Sequence, residues 1–470
     1  MKQLFLIALF LYPPIIFADV RFIPHIIENT ELNPAIITFS DFDNDGNMDI
    51  LGGCHGKKNS IMWFKNKGNG EFEQANIVDR CYAPLMWLST ADIDKDNNQD
   101  IIAATQSGYE AHPVIAWYQN EGHGAFSSAM PIRAEGVSGN TAFAEDIDND
   151  GFFDVIYVTG YPHEVAWHKN TDGAGTFGPP KIIYKDDDND YQPAIRPVDI
   201  DDDDDMDIII ALSKRDKIML FKNNGDGTFD TPQTITSNVQ SPICVYATDI
   251  DGDNDVDIVS GAGGDGKIAW YPNTGGQFST QKIIATSAGF WLHAADLDSD
   301  GDFDVLVSGN EKVSYYENLD GKGSFSSAKI IADNSWAPSI SSVDIDNDGD
   351  IDVLATFPND QKIVWYENLI NTASVRVKLC RLPETCQLHQ NYPNPFNPST
   401  NIRFNLTQSE NVQLKIYNIH GQEIQTLVDA ILSAGEHSIH WHAEGLPAGI
   451  YLARLQAESE VKTMKLILQK

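Results

Sequence analysis

Seven times along this chain one nine-residue pattern returns: Asp, apolar, Asp, any, Asp, turn residue, any, any, Asp. The copies begin at Asp41, Asp92, Asp146, Asp199, Asp249, Asp296 and Asp344. Position 3 is Asp43, Asp94, Asp148, Asp201, Asp251, Asp298 and Asp346. Position 5 is Asp45, Asp96, Asp150, Asp203, Asp253, Asp300 and Asp348. Position 9 is Asp49, Asp100, Asp154, Asp207, Asp257, Asp304 and Asp352. Two like charges about 4 Å apart repel by roughly 4 kcal/mol at an effective dielectric near 20. Four carboxylates in so short a loop therefore ask for a cation. Hard oxygen donors in this number suit Ca²⁺, so up to seven calcium ions are expected.

Position 6 sharpens the expectation. A calcium loop turns tightly there, with positive φ. Its occupants are Gly46, Asn97, Gly151, Asp204, Asn254, Gly301 and Gly349. These are the three residue types that tolerate left-handed backbone. Position 2 is always apolar and position 10 always Ile or Val, so each loop is expected to join two strands and anchor at both ends. An EF-hand is excluded, because it needs a Glu at position 12 and flanking helices.

The loops start 51, 54, 53, 50, 47 and 48 residues apart, a period that means a propeller or a solenoid. After each loop comes a β-branched run. An aromatic pair and Asn follow, as in Trp63-Phe64-Lys65-Asn66 and Trp365-Tyr366-Glu367-Asn368. A Gly-rich turn, a Phe and an apolar pair close most units, giving four strands per unit, the content of a propeller blade. The seventh unit stops after Asn368, and the missing strand is supplied by Phe22 to Ile27 at the other end of the chain. The expectation is an all-β fold: a seven-bladed β-propeller over residues 19–369, its last blade closed by the N-terminal strand.

The units resemble the FG-GAP and VCBS-type repeats of integrin-like propellers, most closely at residues 344–368. The resemblance implies calcium in the loop between the first two strands of each blade, ligated by the Asp residues above. It adds the position 7 carbonyl of Asn47, Asn98, Phe152, Asp205, Asp255, Asp302 and Asp350. Relatives of this kind serve in adhesion and in carbohydrate-related proteins, so the repeat implies fold and metal rather than an activity.

The ends of the chain speak to compartment. Met1-Lys2-Gln3, an apolar run from Leu4 to Phe17 and then Ala18 read as a signal peptide over residues 1–18. No other stretch is long and apolar enough to span a membrane, so the mature chain is expected to lack an integral span. Residues 370–390 read as a linker. Beyond it, six short alternating strands separated by turns predict a small Ig-like β-sandwich over residues 391–470. This segment resembles the type A sorting domain of the type IX secretion system. The matching elements are Tyr392-Pro-Asn-Pro-Phe-Asn-Pro, Ile416-Tyr417-Asn418, Trp441, Gly449-Ile450-Tyr451 and the basic end. The resemblance implies the secretion machinery as a partner and export to the outer surface of a Gram-negative bacterium, or release from it.

Charge excludes one class of function. The chain carries 68 Asp+Glu against 32 Lys+Arg, a net −36, and 34 of the acids lie inside the seven loops. Nucleic acid is not an expected partner. Five cysteines make no disulfide scaffold; Cys54 with Cys81, and Cys380 with Cys386, are left as open pairings.

No nucleophile motif emerges. Propellers bind ligands at the face away from such loops, where this chain places Tyr82, Trp87, Tyr109, Trp291 and Trp336. Trp87 and Trp291 share one offset, five residues before an Asp loop, where other units carry Ile36, Thr141, Ala194, Cys244 and Ser339. Flat aromatic faces suit sugar rings. The expected function is a secreted, calcium-binding module for binding or adhesion, with glycans or surface proteins as candidate partners. The alternative is a carbohydrate-active enzyme, a lyase or glycosidase, using the same face.

Overall fold

The computed structural model describes residues 20–370 and 387–469, apart from residues 30–32, 56–58, 82, 107–112, 135–137, 161–162, 187–193, 287–288, 290, 310, 334, 389–390, 392–393, 395, 397, 407–409, 420, 433–434, 444–445 and 458–460. The signal peptide, Tyr82, Tyr109, Cys380 and Cys386 lie outside the described residues. So do nearly all of the expected linker residues. The chain divides into two compact units, Met1–Asn371 and Thr372–Lys470.

The first unit is all-β and built by repetition. Among its described residues are seven four-stranded antiparallel sheets, an arrangement consistent with a β-propeller. The first sheet runs Asn33–Ser40, Asp49–His55, Ser60–Phe64, Asn76–Asp79 in spatial order. The second to sixth sheets repeat that order with the next strands of the chain. The seventh takes Ile340–Val343, Asp352–Phe357 and Lys362–Asn368 from the end of the unit. Its fourth strand is Phe22–Asn29, which pairs antiparallel with Lys362–Asn368, Phe22 opposite Asn368.

The second strand of every sheet is buried along its whole length, or nearly so: Asp100–Thr105, Asp154–Thr159, Asp207–Leu212 and Asp257–Ala262 have no exposed residue. Such strands have apolar neighbours on both faces and read as continuous β-branched runs, Ile208-Ile209-Ile210 among them. Apolar clusters lie between successive sheets. One joins Leu51, Ile61 and Trp63 of the first sheet to Leu88, Ala103 and Tyr118 of the second. Another joins Ile50 and Phe64 of the first sheet to Leu354 and Trp365 of the seventh. Cys54 and Cys81 are both buried and both free thiols. They belong to different apolar clusters, on either side of the first sheet, so the pairing left open by their spacing does not form.

The second unit holds two sheets around one apolar cluster. A three-stranded sheet carries Ser399–Leu406 between Gln387–Leu388 and Gly435–His442. A four-stranded sheet is ordered Glu423–Leu432, Glu410–Asn418, Gly449–Gln456, Val461–Leu468. Ile402, Phe404 and Trp441 from the first meet Leu414, Ala453 and Leu466 from the second. The Asn-Pro-Phe motif is strapped to the last strand. The Phe396 amide donates to the Ile467 carbonyl at 2.9 Å, the Ile467 amide donates to Asn394 Oδ1 at 2.9 Å, and the Phe396 ring lies 5.3 Å from Trp441.

Candidate metal loops and a central cavity

Each acidic loop connects the first and second strands of its sheet, and all seven fold alike. The amide of position 6 donates to position 1 Oδ2 in every copy, from Gly46 to Asp41 at 2.8 Å through Gly349 to Asp344 at 3.0 Å. The amide of position 7 donates to position 5 Oδ1 in every copy, as Asn47 does to Asp45 at 3.0 Å. Position 6 has positive φ throughout, from 66° at Asp204 to 97° at Gly301. Position 4 does too, at Asn44, Lys95, Asn149, Asp202, Gly252, Ser299 and Asn347, with φ between 53° and 71°. The second left-handed residue was not read from the sequence, because Lys and Ser at this position hide the preference that Asn, Asp and Gly show.

These bonds aim the carboxylates at one point. Oxygens of Asp41, Asp43 and Asp45 lie within 4.8 Å of one another, as do those of Asp146, Asp148 and Asp154, and of Asp249, Asp251 and Asp257. Position 3 supplies the sharpest test of fit. Its Oδ1 is buried without a hydrogen-bond partner at Asp43, Asp94, Asp148, Asp201 and Asp251. An anionic oxygen shielded from water and lacking a donor is costly. A hard cation would satisfy it, so the residues present fit calcium. Three loops also hold an ammonium group. Lys65 pairs with Asp43 and Asp45, Lys169 lies 2.5 Å from Asp148 and 2.7 Å from Asp150, and Lys222 lies 2.5 Å from Asp201. In the sixth and seventh units the same position carries Glu317 and Glu367 instead. At Asp298, burial first and then Asp300 and Glu317 push the carboxyl up to about 7.

Position 9 has a further task. Asp49, Asp100, Asp154, Asp207, Asp257, Asp304 and Asp352 are all essentially inaccessible. In each, Oδ1 accepts the amide of the Asn that follows the aromatic pair, at 2.7–2.8 Å. In six, Oδ2 accepts the position 2 amide of its own loop. Burial outweighs these bonds and raises the carboxyls, to about 6 at Asp49, about 7 at Asp100 and about 8 at Asp304 and Asp352. Position 9 therefore tethers its loop to the third strand, and in the third and fifth loops it still offers one oxygen to the cluster.

The same Asn joins neighbouring sheets. Asn120 Nδ2 donates to the Phe42 carbonyl of the preceding loop at 2.8 Å. Asn170, Asn223, Asn273, Asn318 and Asn368 do the same to Ile93, Ile147, Ile200, Ile250 and Leu297. Asn66 of the first sheet reaches Ile345 of the seventh at 2.6 Å. The Trp of the aromatic pair adds a second link. A Cβ on Gly124 would lie 2.0 Å from Trp63, and one on Gly70 2.3 Å from Trp365, so only glycine lets the neighbouring indole in.

Away from the loops lies a cavity of about 790 Å³. Every sheet contributes its first strand. The residues five before each loop, Ile36, Trp87, Thr141, Ala194, Cys244, Trp291 and Ser339, all line it. So do those three before each loop, Thr38, Ser89, Phe143, Arg196, Tyr246, His293 and Ser341. Alternate strand residues share a face, so the two sets form two tiers of one wall. Trp336 joins them, and Trp291 and Trp336 are 37% and 43% exposed, open to a ligand. Three of the five expected ligand residues thus meet in one place. Of the inner tier, His293 was legible as a residue of this face, but Arg196 and Tyr246 were missed. Each occurs once, and the period-two rule applied to Trp87 and Trp291 would have reached them.

An all-β repeat protein with matched acidic loops and a shared cavity is the class that this architecture defines. FG-GAP-like repeat models match at residues 41–103, 92–157, 146–210, 199–260, 249–307 and 296–355, and the chain belongs to that family. A secretion system C-terminal sorting domain matches at residues 390–469. That domain engages the type IX secretion machinery and indicates secretion or display at the outer surface. Among the described residues no helix is long and apolar enough to cross a membrane. No curated protein matches the sequence. Solved structures similar to it include the complex of BBS1N with ARL6DN, at 12% identity and TM-score 0.49, covering 73% of this chain and 95% of that one. PorZ, a surface component of the type IX secretion system of Porphyromonas gingivalis, is 11% identical at TM-score 0.44, covering 92% of this chain and 60% of its own. The V. cholerae biofilm matrix protein Bap1 is 10% identical at TM-score 0.40, covering 71% and 76%.

Proposed function

We propose that residues 19–369 form a closed seven-bladed β-propeller whose loops hold Ca²⁺, that residues 391–470 form an Ig-like sandwich read by the secretion machinery, and that the exported protein is a binding or adhesion module for carbohydrate. Closure is supported by the hydrogen bond from Asn66 to Ile345 and by the packing of Gly70 against Trp365, which link the first sheet to the last as the others are linked in series. Calcium is supported by the orphaned position 3 oxygens. Its role is electrostatic: it neutralises the loop carboxylates, while the chain's amides already hold them in place.

The observation that carries the binding function is the cavity. Seven equivalent positions converge there, and they bear Trp87 and Trp291 where the other units carry smaller residues. Large aromatic faces beside polar groups suit the two-faced character of a sugar ring. Retention on immobilised polysaccharides tests this reading. Wild type is expected to be retained, and Trp291→Ala to lose retention while its melting temperature stays within a few degrees. Equal retention of Trp291→Ala would remove the cavity from the account. Cleavage of the polysaccharide, seen as new chain ends, would replace binding with catalysis; the described lining offers no Asp or Glu for an acid–base pair.

A further inference from the structure

The protein carries 68 acidic residues, yet none is among the described residues lining the cavity. Among those described residues the charged or basic lining is Arg196, His55 and His293. Arg196 stands on the inner tier with its guanidinium carbon 4.5 Å from the Tyr246 ring centroid and 5.9 Å from that of Phe143. Glu145 acts on it only at a distance, and no carboxylate is within ion-pair reach of it among the described residues. A guanidinium held by aromatic faces keeps its donors directed outward, and carboxylates are the partners its fork fits best.

Other unmet polar atoms agree in sign. Trp87 Nε1 is buried and lacks a partner, and an indole nitrogen can only donate. Asn140 Nδ2, also on the lining, is buried and unpartnered. These groups follow the cavity wall from sheet to sheet. Trp87 packs edge-on to Phe143 at 5.3 Å, Arg196 bridges Phe143 and Tyr246, and Tyr246 lies 4.9 Å from His293. Among the described residues the wall thus combines aromatic surface with unsatisfied donors and the cation of Arg196.

We infer that the cavity takes an acidic saccharide, its carboxylate held by Arg196 and Trp87 Nε1 and its ring against Trp87 and Trp291. The inference rests on the carbohydrate-binding reading and adds the charge of the ligand. The acidic loops do not forbid it. Arg196 precedes Asp199 by three residues, roughly 10 Å along a strand at about 3.3 Å per residue, and Trp87 precedes Asp92 by five, roughly 16 Å. The Debye length at physiological salt is about 8 Å, so both distances exceed it and the loop charge is weakened by screening there.

Titration calorimetry on the calcium-loaded, full-length mature protein tests this. The probes are a glucuronate-bearing tetrasaccharide and the same tetrasaccharide with its carboxylates reduced to alcohols. Loss of a hydrogen bond to a charged group weakens binding roughly ten- to a hundred-fold, so the acidic probe is expected to bind tighter by that factor. Arg196→Gln is expected to erase the preference, bringing the affinity for the acidic probe down to that for the neutral one. Trp87→Phe, which keeps a ring and removes the N–H, is expected to weaken the acidic probe several-fold and decides the matter even if Arg196→Gln misfolds. Equal affinity for both probes, lost in Trp291→Ala, would overturn the charge and leave the carbohydrate reading standing. Binding of the acidic probe unmoved by either Arg196→Gln or Trp87→Phe would overturn the site. No binding of either probe would overturn both readings.

Discussion

The loop end and the cavity end of the first strands obey opposite rules. At the loops every unit repeats itself: positions 1, 3, 5 and 9 are Asp in all seven copies and make the same bonds. Three residues back along the same strand the units diverge, so that one tier of the cavity holds Thr38, Ser89, Phe143, Arg196, Tyr246, His293 and Ser341. Repetition marks what each unit needs to fold and dock on its neighbours. Divergence marks what only one unit must supply. The loops are thus a shared structural charge problem, and the cavity is an asymmetric surface made from symmetric parts.

The largest effect expected from that contrast is chelation. Calcium at a hundredfold above its dissociation constant stabilises a folded protein by about 2.7 kcal/mol per site. A few filled loops then rival the about 5–15 kcal/mol stability of an ordinary domain. Excess EDTA is expected to lower the melting temperature of residues 19–369 by on the order of 10 °C or more, while the sorting domain, which lacks the loops, is unmoved. A scanning calorimetry trace that keeps its first transition in EDTA would break the comparison at its root.

Next in size is the Asn that ties loop to sheet. Asn120→Ala removes the buried bond to the Phe42 carbonyl and the part-buried bond to the Gln99 carbonyl. A loss of about 2–4 kcal/mol is expected in denaturant titration. Trp291→Ala, at a position 37% exposed, should cost within about 1 kcal/mol. If the two variants lose equal stability, the division between structural and ligand-facing positions fails.

Sequence reveals these two ends unequally for a physical reason. The Asp loops and the β-branched runs that follow, such as Ile208-Ile209-Ile210, are local patterns repeated seven times, and the FG-GAP-like family and the sorting tail could be recognised from them. The seven Asn residues were visible as landmarks, but their acceptors lie in another sheet, 78 positions away for Asn120 and 279 for Asn66, and no local pattern carries that. Arg196 and Tyr246 were silent because each occurs once; only the convergence of strands makes them neighbours. The second left-handed loop residue was masked at Lys95 and Ser299, where loop bonding overrides the side chain's preference.

A smaller effect separates filled from empty loops through pH. Burial raises the position 9 carboxyls, to about 7 at Asp100, Asp154, Asp207 and Asp257, against about 3.9 in an unfolded chain. Between those values the folded protein binds more protons than the unfolded one, so stability falls as pH rises from about 4 to about 7. This holds without metal. Bound calcium would hold the loops as carboxylates and is expected to flatten or reverse the slope. Melting curves in EDTA that rise with pH over this window would contradict the assignment of these groups.

The smallest effect concerns one turn. Asp204 stands where four of the other loops have Gly, at φ 66°. Its amide donates to Asp199 Oδ2 at 3.0 Å, a bond that glycine keeps. Asp204→Gly removes the side chain's steric cost in left-handed backbone and one like charge between Asp203 and Asp205. Glycine's greater freedom in the unfolded chain offsets part of that gain, as it does for any residue it replaces. The net stabilisation expected in EDTA is about 0.5–1 kcal/mol. With calcium present, the electrostatic share is already neutralised, so the gain should shrink toward the steric share alone. A gain of equal size in both conditions would mean that the charge of this loop is not what calcium relieves, and that the fourth loop stands apart from the other six.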